Sequence, residues 1–285
     1  MKRRLLRFLT GLAASLAAAL SVSAAYGESW SAVFPGAPVP AVAVPLGDGR
    51  HFVTVAVPGA QAEQGKLRAA EAGPAEARAF VDAVSRIVVF RVEGAAVPVL
   101  SLRSAAPLGA EFALQIPGGT RGSTVEWVKQ VDGKILPVAL LKVRYDAGPP
   151  PPGTPLLDGS GNLAAIAYMA AGGRDGYALP AEVVKHVVDG VIRDGAVEKA
   201  RLGLTLLPAN KLPQVTRVLA DSPASQSGIQ VGDVLSEVGG RPVSDYADAV
   251  NAFYFLRPAT TVRIKLKRAG QELAVSLTPA GQGSR

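Results

Sequence analysis

The sequence predicts a mostly β chain, with a larger β-barrel or sandwich followed by a smaller β module that carries two helices. Three observations predict it. Short runs rich in β-branched and aromatic residues alternate with turn residues along most of the 285 positions. One apolar stripe at helical spacing, Val183, Val184, Val187, Val188 and Val191, divides that pattern in two. After position 200, glycine and proline fall at regular turn positions around shorter strands. A chain of this length with 48% hydrophobic residues can bury two cores of ordinary size.

In chain order, Ala41 to Val44 and Phe52 to Val57 flank Gly47-Asp48-Gly49, a hairpin signal. The stretch from Gln61 to Arg78, rich in Ala, Glu and Gln, reads as a short helix or a surface loop. Strands follow at Ile87 to Val92, Phe112 to Ile116, Thr124 to Val131, Ile135 to Val143 and Leu163 to Tyr168, with Asp132-Gly133 as a hairpin turn. Pro180 opens the valine-striped helix, and Asp194-Gly195 closes it. The second module reads as strands at Leu202 to Thr205 and Gln214 to Leu219, then a helical turn from Ser222-Pro223-Ala224 to Gly228. A strand after Gly232-Asp233, the turn Gly239-Gly240, and a helix from about Asp245 to Leu256 capped by Ser244 come next. Two last strands, Val262 to Lys267 and Glu272 to Leu277, turn at Ala269-Gly270.

The opening residues read as an export signal. Lys2 to Arg7 is cationic, Phe8 to Leu20 is apolar, and small residues offer cleavage at Val22-Ser23-Ala24 or one residue later. An uncleaved segment would instead anchor the chain to a membrane, and no later stretch is apolar enough to span one. The formal charge of +7 falls to about +3 without this segment, so nothing points to nucleic acid. With no cysteine, and with His51 and His186 as the only histidines, neither a disulfide nor a metal site is expected, and no cofactor is called for.

The second module resembles bacterial PDZ domains. The resemblance rests on Leu202-Gly203-Leu204, Ser222-Pro223-Ala224 with Gly228, Val231-Gly232-Asp233-Val234-Leu235 and Gly240-Arg241-Pro242-Val243. It implies that a peptide C-terminus binds as an added strand, its carboxylate in a backbone nest at Gly203. The residues expected to form the groove are Leu202, Gly203, Leu204 and Thr205, with Tyr246 and Val250 from the helix.

The first domain is similar to the HtrA (Deg) family of trypsin-like proteases. Phe52-Val53-Thr54-Val55-Ala56-Val57 looks like the strand leading to that family's histidine, and Arg86 to Val92 like the strand that begins with its aspartate. Pro150-Pro151-Pro152-Gly153-Thr154-Pro155-Leu156-Leu157 looks like its Gly-Asn-Ser-Gly-Gly-Pro-Leu-Leu loop, and Tyr177-Ala178-Leu179-Pro180 like its Phe-Ala-Ile-Pro. The fold implied is a degenerate trypsin-like double β-barrel. Placed so, Val57, Arg86 and Pro152 occupy the triad positions, and prolines at 150 and 152 supply no N–H for an oxyanion hole. Ser160 reads as a plain turn residue and His51 as an exposed or stacking residue.

The expected organisation is an export signal at 1–25, a trypsin-like domain at 28–192, a linker at 193–200 and a PDZ domain at 201–281. The expected function is a non-catalytic periplasmic HtrA-like protein. It would bind peptide or protein C-termini and unfolded segments as adaptor, scaffold or chaperone-like factor, with an active protease as a candidate partner. Two alternatives stand: an active serine endopeptidase with an unrecognised site, and an envelope structural protein. The family's assembly through N-terminal aromatics makes Trp30 and Phe34 candidate homo-oligomer contacts.

Overall fold

The computed structural model describes residues 29–94, 96–102, 113–116, 119–208 and 212–281; the opening segment expected to be an export signal lies outside them. Contacts divide the chain into two compact units, one of residues up to 128 with 140–197, the other of 129–139 with 198 onward.

The first unit is built on two β layers. Strands β1 (Trp30–Val33), β2 (Ala41–Leu46), β3 (His51–Val55), β4 (Lys66–Ala69), β5 (Gly73–Pro74), β6 (Ala77–Val81) and β7 (Ile87–Val92) form a seven-stranded sheet in the order β5-β4-β1-β2-β3-β7-β6. The segment expected as helix or loop is therefore mostly strand, after one 3-10 turn at Ala62–Gln64. The reason is tertiary. β4 pairs with β1 and β6 with β7, and the alternation in β4 sends Leu67 and Ala69 inward, so sheet pairing overrides an Ala- and Glu-rich composition.

The candidate assembly aromatics are used inside this sheet. Phe34 is buried beside Phe90, Trp30 stacks at 4.4 Å on Phe52, and a side chain at Gly65 would collide with the Phe34 ring.

Strands β8 (Ala113–Ile116), β9 (Thr120–Val131), β10 (Lys134–Tyr145), β11 (Pro155–Leu157), β12 (Leu163–Gly172) and β13 (Asp175–Pro180) close a barrel in the order β10-β13-β12-β11-β8-β9. Asp132 (φ 48°) and Gly133 (φ 74°) make the tight turn between β9 and β10. Leu114, Leu141, Val143, Tyr145, Leu156 and Ala178 fill the barrel. β13 runs into helix α1 (Ala181–Asp194), whose valine stripe is buried and whose end is a left-handed Gly195 bonding back to Val191. Among the described residues no helix is long and apolar enough to cross a membrane.

The second unit holds β14 (Ala200–Arg201), β15 (Leu204–Leu206), β16 (Val215–Val218), α2 (Pro223–Gln226), β17 (Val234–Val238), β18 (Arg241–Pro242), α3 (Tyr246–Tyr254), β19 (Val262–Arg268), β20 (Gln271–Leu277) and β21 (Ala280–Gly281). A four-stranded sheet, β18-β17-β19-β20, lies with the pairs β15-β16 and β14-β21 around a core of Leu206, Val215, Ile229, Leu235, Ile264 and Leu266. The α3 cap is Asp245, which accepts from the Asp248 N–H at 2.7 Å, rather than the expected Ser244. Both are good caps; Asp245 wins because its extended backbone aims its carboxylate at the first turn. Asp233 is fully buried and accepts from both Arg268 Nε (2.7 Å) and Nη2 (2.8 Å) and from the Gln230 N–H. The paired guanidinium holds its carboxyl below the usual range.

Candidate functional site

Two places in the fold bear on function: the site where the trypsin-like pattern would put its triad, and the groove beside β15.

The first is assembled from both β layers of the first unit. β3 and β7 pair with Val55 opposite Ile87, which sets the residues just beyond β3 against the residue just before β7. There Ala56 N–H donates to the Arg86 carbonyl at 2.9 Å. The Arg86 guanidinium donates to the carbonyls of Ala56 (3.2 Å), Val57 (3.2 Å) and Ala60. Two of the three presumed triad positions thus meet, but as a guanidinium clasp on main-chain oxygens. Arg86 stands at φ 63°, a conformation held by the tight turn in which Asp82 accepts from the N–H groups of Val84 and Ser85 and from the Ser85 hydroxyl. The Arg86 charge also reaches Tyr168 of β12, whose hydroxyl is pushed up by burial and pulled back by that cation.

Pro152 is stitched into the same region. Its carbonyl accepts from Val42 N–H at 2.7 Å, and Gly153 N–H donates to Ala167 at 2.7 Å. Gly153 is required here, because a Cβ would lie 2.0 Å from the Val42 oxygen at φ 80°. Thr154 is buried, and its hydroxyl donates to the Pro151 carbonyl at 2.7 Å. Thr54, kept from the Thr-x-x-His pattern, is buried, and its hydroxyl has no hydrogen-bond partner among the described residues.

His51 starts β3, six residues before Val57, roughly 20 Å away along an extended strand. Contrary to the exposed placement expected, His51 is buried, with Nδ1 2.7 Å from an Asp48 carboxylate oxygen. It pairs opposite Arg91 in a sheet interior rather than at a free hairpin edge, which explains the burial. Ser160 lies on the turn from β11 to β12, where the Asp158 carboxylate accepts its N–H and that of Asn162. His186 lies half-buried on α1.

The second place is a cavity of about 330 Å³ lined by Ala200, Arg201, Leu202, Gly203, Leu204, Leu219, Phe253 and Leu256. Gly203 has φ 77°, and a Cβ on it would sit 2.2 Å from the Ser222 Cβ, so only glycine fits. The carbonyls of Leu202 and Gly203 are drawn away by the N–H groups of Ala224 (2.9 Å) and Leu219 (2.8 Å). Ser222 fixes this turn by donating to Leu219 O at 2.6 Å while capping α2 through the Ser225 N–H. Among the described residues β15 pairs only with β16, so its second edge is unpaired. Arg201 is exposed at the mouth.

Three of the six residues expected to form the groove, Leu202, Gly203 and Leu204, line it. Thr205 does not: it is exposed, and its carbonyl accepts from the Thr216 hydroxyl at 3.1 Å. Tyr246 and Val250 do not line the cavity either; Phe253 and Leu256 do, because the cavity opens at the C-terminal end of α3. Residues 246, 250 and 253 share a helix face, so continuing the i, i+4, i+7 series would have reached Phe253.

Comparison with known proteins agrees with this architecture. The PDZ domain family matches residues 200–278. A protein of Rhizobium meliloti named as a probable periplasmic serine endoprotease, DegP-like, is 34% identical over 142 residues, covering 44% of this chain and 28% of that protein. One of the same name from Pseudomonas fulva is 27% identical over 253 residues, covering 79% of this chain and 53% of its own. This chain therefore spans about half the length, or less, of these relatives. The HtrA-type protease AlgW, solved with a tripeptide, superposes with TM-score 0.63 at 18% identity over 93% of this chain and 98% of AlgW. The serine endoprotease of Yersinia pestis gives 0.57 at 22% identity over 92% and 97%. This chain is HtrA/DegP-like in fold: trypsin-like β layers joined to a PDZ domain.

Proposed function

We propose that this chain is a non-catalytic, periplasmic HtrA-like protein that binds peptide C-termini or unfolded segments through its PDZ groove. It serves as adaptor, scaffold or chaperone-like factor, with its trypsin-like part as framework. The observation that supports the loss of catalysis is the clasp at Arg86. A cation bonded to the carbonyls of Ala56, Val57 and Ala60 stands where acyl transfer needs an aspartate to orient an imidazole. Val57 and Pro152 offer neither base nor nucleophile, and the prolines at 150 and 152 offer no N–H to a developing oxyanion.

Binding is supported by the unpaired edge of β15, which can take a peptide as an added strand. Leu204, Phe253 and Leu256 offer an apolar seat for the last side chain, and Arg201 offers a cation near the turn at Gly203 for its carboxylate. Export to the periplasm is supported by the opening segment and by the names of the relatives. A peptide library displayed with free C-termini, together with casein and a serine-directed fluorophosphonate, tests the reading. Selection of apolar C-termini without casein cleavage or labelling is the expected result. Casein cleavage that the fluorophosphonate abolishes would establish the endopeptidase alternative instead.

A further inference from the structure

Strands β15 and β16 carry a cation on the side of the groove that faces solvent. They pair Leu204 with Val218 and Thr205 with Arg217. Residues directly opposite share a face of the sheet, and successive residues alternate. Leu204 lines the groove, Leu206 and Val215 are buried in the core, and Thr205 and Arg217 are exposed. Thr205 and Arg217 therefore stand side by side on the outer face. The Thr205 carbonyl accepts from the Thr216 hydroxyl of β16 at 3.1 Å, so Leu204 beside it turns its own N–H and C=O to the open edge.

An added strand with its carboxylate at the Gly203 turn runs antiparallel to β15. When its last side chain enters the cavity beside Leu204, the side chain before it emerges on the outer face next to Thr205. That position lies two strand spacings, about 10 Å, from the Arg217 backbone, a gap that the long side chains of arginine and glutamate bridge together. Among the described residues Arg217 makes no hydrogen bond or ion pair, whereas strand cations elsewhere in the unit do: Lys265 meets Glu237 and Arg268 meets Asp233. β15 and β16 hold no carboxylate, and Asp221, the next acid along the chain, is exposed in the turn after β16 without pairing to Arg217.

We propose that the groove prefers C-termini whose next-to-last residue is Asp or Glu, with Arg217 as the residue that sets the preference. The ligand class is then an apolar last residue preceded by an acid, distinct from a wholly apolar end. Arg201 faces the carboxylate common to every C-terminus and so makes no such distinction. This proposal rests on the groove binding C-termini as described above.

The test is fluorescence anisotropy with three labelled free-acid peptides that end in leucine and differ only in the residue before it: glutamate, glutamine or lysine. Wild type is expected to bind the glutamate peptide about three- to fivefold more tightly than the glutamine peptide, the size of one exposed ion pair, and about tenfold more tightly than the lysine peptide. The preference is expected to shrink as salt rises toward about 1 M, where charges are screened within about 3 Å. Arg217→Gln is expected to bind the glutamate and glutamine peptides equally, and Arg217→Glu to reverse the order and favour lysine. Retained binding of the glutamine peptide by both variants verifies that the groove is intact. Equal binding of the three peptides by wild type, or a glutamate preference that persists in Arg217→Glu, overturns the proposal and leaves the groove as a general site for C-termini. Absence of binding for all three peptides overturns both.

Discussion

Replacing Arg86 tests whether its guanidinium acts as a structural clasp. Its guanidinium is half-buried and donates to the carbonyls of Ala56, Val57 and Ala60. Bonds from a charged donor at about 1 kcal/mol each, reduced for partial solvent exposure, sum to about 3 kcal/mol. Arg86→Ala keeps the strain of a left-handed backbone at φ 63° and loses all three bonds. Arg86→Asp relieves some of that strain, as Asp tolerates the left-handed region, but it sets a carboxylate against three carbonyl oxygens. Both variants are expected to be destabilised by about 3 kcal/mol. Tryptophan fluorescence reads this directly, because Trp30 and Trp127, the only two tryptophans, both lie in the first unit. With a urea slope of about 2–3 kcal/mol/M the midpoint falls by about 1 M at unchanged slope. A midpoint within about 0.3 M of wild type for both variants, or a more stable Arg86→Asp, would refute the clasp.

Other expectations follow from the same geometry. The triple variant Val57→His, Arg86→Asp, Pro152→Ser is expected to leave casein intact, since Pro150 still withholds an oxyanion donor; cleavage would show that the loop retains a working site. Gly203→Ala, forced to φ 77° with its methyl against Ser222, is expected to destabilise the PDZ domain by about 2 kcal/mol and to abolish peptide binding. Phe253→Ala is expected to weaken binding of apolar C-termini about tenfold in a fluorescence titration while the domain stays folded. Asp233 supplies the pH test. Its carboxyl is held down by Arg268, so its stabilisation is complete above the ordinary carboxylate pKa of about 4 and is lost as pH falls through the lower folded value. Asp233→Asn should cost about 2 kcal/mol at pH 7 and flatten the loss of stability below about pH 4; an unchanged acid profile would assign the acid sensitivity elsewhere.

The PDZ domain was legible because its requirements are local. Gly203, Gly228, Gly239 and Gly240 all have positive φ, and Ser222-Pro223 caps a helical turn, so backbone constraint appears directly in residue type. The loop ending in Gly153-Thr154-Pro155-Leu156 was legible for the same reason. The stretch 66–81 was not, since its strands are imposed by partners far away in sequence and its composition favours helix. The roles of Arg86 and His51 were equally hidden. Nothing in the sequence around Arg86 says that three carbonyls converge on it, nor that His51 is closed in by β7 and Asp48.

Fluorescence anisotropy with labelled peptides ending in an apolar residue, each prepared as free acid and as amide, addresses peptide recognition most directly. The groove described here predicts that the free acid binds at least about tenfold more tightly than the amide, the amide having lost the charge that meets Arg201 and the turn at Gly203. Equal affinity for the two forms, or no binding of either, would contradict recognition of C-termini at this site.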